Sequence, residues 1–335
     1  MRKLKCFDQG VLDRHANFFG DVDKQLRDLR AELSDPSEID YLTAIIDFNS
    51  ENNPAKTNLL VAEAEKLNAF VASFNSKFDV ERFLVGRGTL SAKLKVIFNY
   101  DRFVRIRGRG ASDWGGVCLM EMILKNVKYC PYCNSELVYS VKFPRKFKDG
   151  SRCFHHLTKS AFDHFYPRSK YPFLGVSIYN LIPACQRCNS GLKGAYSADL
   201  TGVAHPYVDD VHEGMKFVPV ISSVGTDPEN YRTVSEIYLV ERTRGGCPKG
   251  VQYGKLFGLD HVYSTQYTVE ASDAIWKAGR FSKAYVESKV KEWASAGLAK
   301  QDVERVLYGA PLNPDEIDRQ RLSKLTIDIM KDYRV

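Results

Sequence analysis

No run in this chain approaches the ~20 apolar residues needed to cross a bilayer. Its opening, MRKLKCFDQG, lacks the apolar core of a secretory signal. Neither a membrane span nor an export leader is expected, and a soluble, cytoplasmic protein is. Internal repeats and low-complexity tracts are also missing, which argues against repeat architectures and long disordered segments. What is present suffices for real cores: 44% of the 335 residues are hydrophobic and 12% aromatic. The length predicts two or three lobes.

Charge is uneven. The net charge is +7, yet Asp101 to Lys193 alone holds 16 Lys/Arg against 6 Asp/Glu. The remainder carries 32 against 35. A basic middle between faintly acidic ends points to a polyanionic partner, with a merely solvated surface as the bland alternative.

Three regions are expected: helical residues 1–100, a distinct domain over 101–210, and 211–335 with short strands then helices. Val11 to Leu33 and Ile39 to Phe48 read as helices. After Asn53 and Pro54, suited to cap and first turn, an apolar stripe recurs at Leu60, Ala64, Leu67, Val71, Phe74 and Phe78. In RFVRIRGRG, extended backbone would put Arg105, Arg107 and Arg109 on one face, suited to phosphate or to solvent. Met120 to Val127 reads as a short helix. Farther on, Met215 to Ile221 and Ser235 to Val240 read as strands, and Thr268 to Trp293 and Pro314 to Tyr333 as helices.

Four of the eight cysteines form two C-x-x-C pairs, CPYC at 130–133 and CQRC at 185–188. In a reducing compartment such pairs are more often metal sites than disulfides. Tetrahedral zinc takes four thiolates at about 2.3 Å, and a closed four-cysteine site is structural rather than catalytic. Cys130, Cys133, Cys185 and Cys188 are therefore the expected zinc ligands. The 51 residues between the pairs must hold something folded. Inside that loop Glu136 to Val141 and Leu157 to Asp163 read as strands, and Asn189 to Lys193 as a short helix.

AFDHFYPRSK interrupts an apolar run with Asp163-His164, which is either a turn or a site. CPYCN, FDHFYPRSKYPFLGVSIYNLIPACQRCN and SGLKG together resemble the HNH endonucleases over Val127 to Asp209, about a quarter of the chain. The resemblance implies an α+β, mainly helical chain with a central ββα-metal core and a Cys₄ zinc site. Asn189 stands where many members have a second histidine. The longer match, through HFYPRSKYPFL and NLIPACQRCN to HPY, resembles the HNH subunit of Septu-type antiphage systems. Those nucleases work beside an SMC-like ATPase, sometimes encoded with a retron.

The roles that follow are chemical. Phosphodiester hydrolysis needs an activated water and positive charge on the phosphoryl oxygens. Histidine, with an ordinary pKa of about 6.5, suits the base, here His164. The Asp163 carboxylate and the Asn189 amide oxygen suit Mg²⁺ or Mn²⁺. The family likeness implies that Asn180 braces the loop carrying His164. Arg187 and Lys193 are candidate phosphate contacts. His205 is read as packing rather than a ligand, His155-His156 as surface or DNA-side residues, and Asp209-Asp210 as a solvated turn rather than a second metal site. DNA is the expected substrate. An RNA- or tRNA-cleaving effector, and a zinc-knuckle binding subunit without catalysis, are the alternatives.

Overall fold

The computed structural model describes residues 1–51, 58–85, 88–105, 114–146, 152–158, 160–194, 200–223, 233–242, 245–310 and 312–334. Within them the chain is mainly helical with three two-stranded antiparallel sheets, which fits the expected α+β class. No helix among the described residues is long and apolar enough to cross a membrane.

Local chemistry explains where the helices break. The run expected as Val11 to Leu33 is two helices, Gln9–Phe19 and Val22–Ala31. Gly20 divides them at φ 68°, a left-handed value open to glycine at no steric cost. Asp21 then caps the second helix, accepting from the Lys24 N–H at 2.9 Å. The third helix, Pro36–Glu51, starts earlier than read because Pro36 is tolerated in a first turn. Helix Ala64–Lys77 buries Ala64, Leu67, Val71 and Phe74 on one face. Leu60 lies in the turn before it, and Phe78 follows in extended backbone. Asn53 and Pro54 fall outside the described residues.

The strands differ from the sequence reading in a way that matters for the site. β1 (Ser140–Lys146) pairs with β2 (Arg152–Thr158). β3 (Ala161–His164) pairs instead with β4 (Leu181–Ala184), setting Asp163 opposite Ile182 and His164 opposite Leu181. The first strand thus begins at Ser140 rather than Glu136, and the run Leu157 to Asp163 is split between two sheets. Its true partner is LIPA, buried throughout and distant in sequence. Ser160 marks the split, its hydroxyl donating to the Tyr139 carbonyl at 3.3 Å.

Beyond the middle, β5 (Met215–Ser223) pairs with β6 (Thr233–Glu241). The expected helix Thr268 to Trp293 is divided, because Ser282 caps a new helix, Lys283–Trp293, by accepting from the Tyr285 N–H at 3.2 Å. Pro314 to Tyr333 is a 3₁₀ turn, Pro314–Arg319, and a helix, Ser323–Tyr333, separated by Leu322 at φ 55°.

Hydrogen bonds cross both expected region boundaries. The Ile178 N–H donates to the Leu60 carbonyl at 2.8 Å. From the C-terminal side, the Tyr253 hydroxyl reaches the Pro131 and Tyr132 carbonyls, each at 2.8 Å. Tyr263 OH donates to the Cys133 carbonyl at 2.7 Å, and Asn134 Nδ2 to the Ile317 carbonyl at 2.6 Å. Helices from both ends thereby hold the cysteine turns and the β3–β4 pair.

Candidate metal knuckle and catalytic centre

Cys130, Cys133, Cys185 and Cys188 are buried, with their sulfurs all within 4.8 Å of one another. No other group of three or more metal-ligating His, Cys, Asp or Glu side chains occurs among the described residues. The second pair turns so that its backbone N–H groups face sulfur: Cys185 N lies 3.5 Å from Cys130 Sγ, and Cys188 N 3.5 Å from Cys185 Sγ. Asn134 completes the first turn at φ 52°, a conformation asparagine tolerates. Burial pushes the Cys130 thiol well above its ordinary range. Four buried thiols can ionise together only around a cation, so the cluster fits a structural metal such as zinc.

Tyr132, between the first two cysteines, joins this cluster to the second centre. Its hydroxyl donates to Asp163 Oδ2 at 2.6 Å. The other oxygen, Oδ1, accepts from Lys193 Nζ at 2.9 Å. Lys193 also donates to the His164 carbonyl at 2.6 Å and is buried with Asp163. Burial raises the Asp163 pKa, while Lys193 and Tyr132 pull it back. Lys193, expected to meet phosphate at the surface, is thus turned inward.

His164 ends β3. Its Nε2 lies 2.8 Å from the Gly175 carbonyl, which only accepts, so Nε2 carries the proton. In the neutral ring Nδ1 then keeps its lone pair, and it has no hydrogen-bond partner among the described residues. Burial holds the imidazole down at about 4, so it is neutral at pH 7. Tyr100 meets the ring edge-on, with centroids 4.5 Å apart.

Asn180 ties down the loop between β3 and β4. Its Oδ1 accepts from Tyr166 N at 2.7 Å, and its Nδ2 donates to the carbonyls of Tyr166 (3.1 Å) and Leu174 (2.9 Å). Next to Gly175, the Val176 carbonyl accepts from His15 Nε2 at 2.7 Å, and His15 Nδ1 accepts from the Trp114 indole at 3.1 Å. Gly175, the residue that orients His164, is therefore pinned on both sides.

Asn189 lies half-exposed in the turn Arg187–Lys193, whose π-type bond runs from Gly194 N to the Asn189 carbonyl at 2.8 Å. π-type turns recur at functional sites. Its side chain makes no hydrogen bond among the described residues. Arg187 donates to Ser135 Oγ at 2.7 Å, bracing the cysteine turn. Burial is the largest single influence and opposes its charge, but the Cys133 and Cys188 sulfurs and Tyr267 together outweigh it, and the guanidinium pKa is raised.

Of the three arginines expected on one extended face, only Arg105 is among the described residues, and it is helical. Arg105 ends a helix, Tyr100–Arg105, capped by Asn99, while Arg107 and Arg109 lie outside the described residues. The helix expected over Met120 to Val127 is Gly116–Leu124. His205 is buried against Phe165, with ring centroids 4.2 Å apart. Asp209 accepts from the His205 N–H at 2.8 Å, and Asp210 accepts from the His212 N–H at 3.0 Å, so both serve turns. His155 and His156 lie in β2.

Sequence reasoning missed Tyr132, Tyr100, Gly175 and Arg168. Arg168 follows His164 by four residues, and its guanidinium lies 4.9 Å from the Tyr100 ring centroid. Only the position of Tyr132 inside C-P-Y-C offered a local signal.

No family model matches the chain, and no solved structure does. It is 30% identical over 144 residues to Septu protein PtuB of Bacillus thuringiensis, covering 42% of this chain and 48% of that protein. Over 49 residues it is 43% identical to protein ea31 of Escherichia phage lambda, covering 14% of this chain and 17% of that one. The chain thus spans about half the length of the first relative and a sixth of the second, and its similarity runs to a Septu protein at a distance.

Proposed function

We propose that the chain is an HNH-type endonuclease acting in antiphage defence, hydrolysing phosphodiester bonds of DNA beside an SMC-like ATPase. The observation that carries this reading is His164: neutral, anchored through Nε2 to the Gly175 carbonyl, with Nδ1 free of hydrogen-bond partners among the described residues. The order β3, β4, π-type turn, with the second cysteine pair at the junction of β4 and that turn, supports a ββα-metal core. The similarity to Septu protein PtuB supports the defence role; the ATPase partner, sometimes encoded with a retron, is what the resemblance to Septu-type nucleases implies.

In this mechanism His164 Nδ1 takes the proton of the attacking water while Nε2–H stays on the Gly175 carbonyl. Asn180 keeps the loop, and so that carbonyl, in position. Asp163 with Asn189 would hold Mg²⁺ or Mn²⁺. When bound, that cation neutralises charge on the phosphoryl oxygens. The Lys193 ammonium occupies a cationic position against Asp163 Oδ1, where it competes with such a cation. Loading the site requires that ammonium to move.

The test is cleavage of plasmid DNA and total tRNA with Mg²⁺ or Mn²⁺, by the chain alone and with its ATPase. Losing a general base costs ~10²–10⁴ in rate. His164→Ala is expected to lose that much cutting yet retain substrate binding. Wild-type cutting by this variant would end the assignment. If tRNA is cut and plasmid is not, the RNA-cleaving alternative replaces the DNA reading.

Lys193→Met tests the cation's position. Breaking a buried pair costs roughly 3–5 kcal/mol, so the variant should be less stable. With the ammonium gone, Asp163 should bind Mn²⁺ more tightly, read by calorimetry, and added Mn²⁺ should restore stability. Unchanged Mn²⁺ affinity in a folded variant would mean that the cation does not bind where Lys193 sits.

A further inference from the structure

We propose that the cleft beside His164 seats a backbone phosphate of the nucleic acid next to the scissile one, gripped by Arg168 and Lys95. The proposal deepens the nuclease reading and rests on it. It also gives the N-terminal helical region a role in substrate binding.

The cleft has a volume of about 320 Å³ and lies between the end of helix Gly88–Ile97, the start of helix Tyr100–Arg105 and the loop after β3. Gly175 lines it, and the Gly175 carbonyl is the group that orients His164. Tyr100 also lines it, and its ring touches the imidazole. A ligand in this space therefore lies alongside the proposed base.

Its charge favours an anion. Arg168 and Lys95 line the cleft against one carboxylate, Asp101. Lys95 is exposed and makes no ion pair or hydrogen bond among the described residues. Arg168 is prepared rather than free. Its guanidinium lies over Tyr100 at 4.9 Å, and Nη1 pairs with Asp101 Oδ1 at 3.2 Å. Stacking fixes the plane of the fork, and a planar fork suits bidentate phosphate binding. Both members of the Asp101 pair are well exposed, at 47% and 63%, so a phosphate displaces the carboxylate at little cost.

A nucleic-acid phosphate fits better than a small free anion because two residues that line the cleft, Gly175 and Tyr100, are the ones that hold and touch the His164 imidazole.

The experiment measures binding by fluorescence anisotropy across a salt series, with full-length His164→Ala protein and labelled single-stranded, duplex and hairpin oligonucleotides. Arg168→Gln and Lys95→Gln should each weaken binding several-fold, whatever the base sequence. Each should lower the slope of log K against log salt by about 0.7–0.9. Asp101→Asn, which frees Arg168, should tighten binding, a direction that misfolding would not produce. Lys93→Gln is the control, since Lys93 on the same helix already pairs with Glu32 at 2.7 Å.

Unchanged slopes in Arg168→Gln and Lys95→Gln would overturn the proposal, as would weaker binding in Asp101→Asn. Inorganic phosphate binding with the same Arg168 dependence, and no oligonucleotide effect, would make this a free-phosphate site and also overturn it. The two readings fail separately. Arg168-dependent binding with no cutting by wild type removes the nuclease and keeps the cleft, while cutting with Arg168-independent binding does the reverse.

Discussion

Purified protein is expected to carry one zinc per chain and to lose its cooperative unfolding transition when that zinc is chelated. The four sulfurs lie within 4.8 Å in a buried cluster, and Burial keeps Cys130 protonated in the absence of a cation. Structural zinc contributes on the order of 10 kcal/mol to folding, against a total stability of about 5–15 kcal/mol for a typical domain. The loss should spread, because Tyr253, Tyr263 and Asn134 tie the cysteine turns to the C-terminal region. Cys130→Ser should behave like the chelated protein, while Cys6→Ser, at an exposed thiol, should leave melting unchanged. Elemental analysis with calorimetry decides it. Folded protein with a zinc content near zero would sink the argument.

Acid is expected to be nearly as damaging. Burial lowers the pKa of His15 and His164 to about 4, of His205 to about 3 and of His212 to about 2. At His212, repulsion from Lys324, Lys331, the Met1 amino group and Arg242 adds to burial. Unfolded, each returns to about 6.5. The folded values lie below the unfolded ones, so the unfolded chain binds more protons and stability rises with pH. The contribution is intact above about pH 6.5 and is lost as pH falls toward the folded values. Each proton is worth about 1.4 kcal/mol per pH unit, so four give roughly 5 kcal/mol per unit near pH 5. Urea midpoints at pH 7, 6 and 5, in excess zinc, measure this. His212→Gln should remove about a quarter of the slope. The same slope in that variant would assign the acid loss to other groups, the thiolates first.

What was legible in the sequence was what chemistry writes locally. Two C-x-x-C pairs announce a metal cluster because four thiols have few other uses in a reducing compartment. The mainly helical character followed from apolar spacing, as in Leu67, Val71 and Phe74. Helix breaks were missed where one residue decided them: Gly20 and Leu322 adopt left-handed backbone, and Ser282 starts a new helix. Strand partners were missed because LIPA, the partner of β3, lies across the intervening loop. The environment of the candidate centre was least legible. Asp163 was visible as a carboxylate, but its partners Tyr132 and Lys193 stand 31 and 30 residues away. Tyr100 reaches His164 from the N-terminal helices, and no local pattern announces it.

The tyrosine anchors of the cysteine turns also bear on the order in which the chain can be completed during synthesis. The Cys133 carbonyl waits for the hydroxyl of Tyr263, 130 residues later. At about 5–20 residues per second, that is roughly 6–26 s of translation. Asn134 waits longer still, for Ile317, 183 residues on. Through that interval the thiols of the first pair lack the packing that later covers them. Oxidants and competing metals therefore have their best access to the knuckle on the ribosome, before the C-terminal helices arrive.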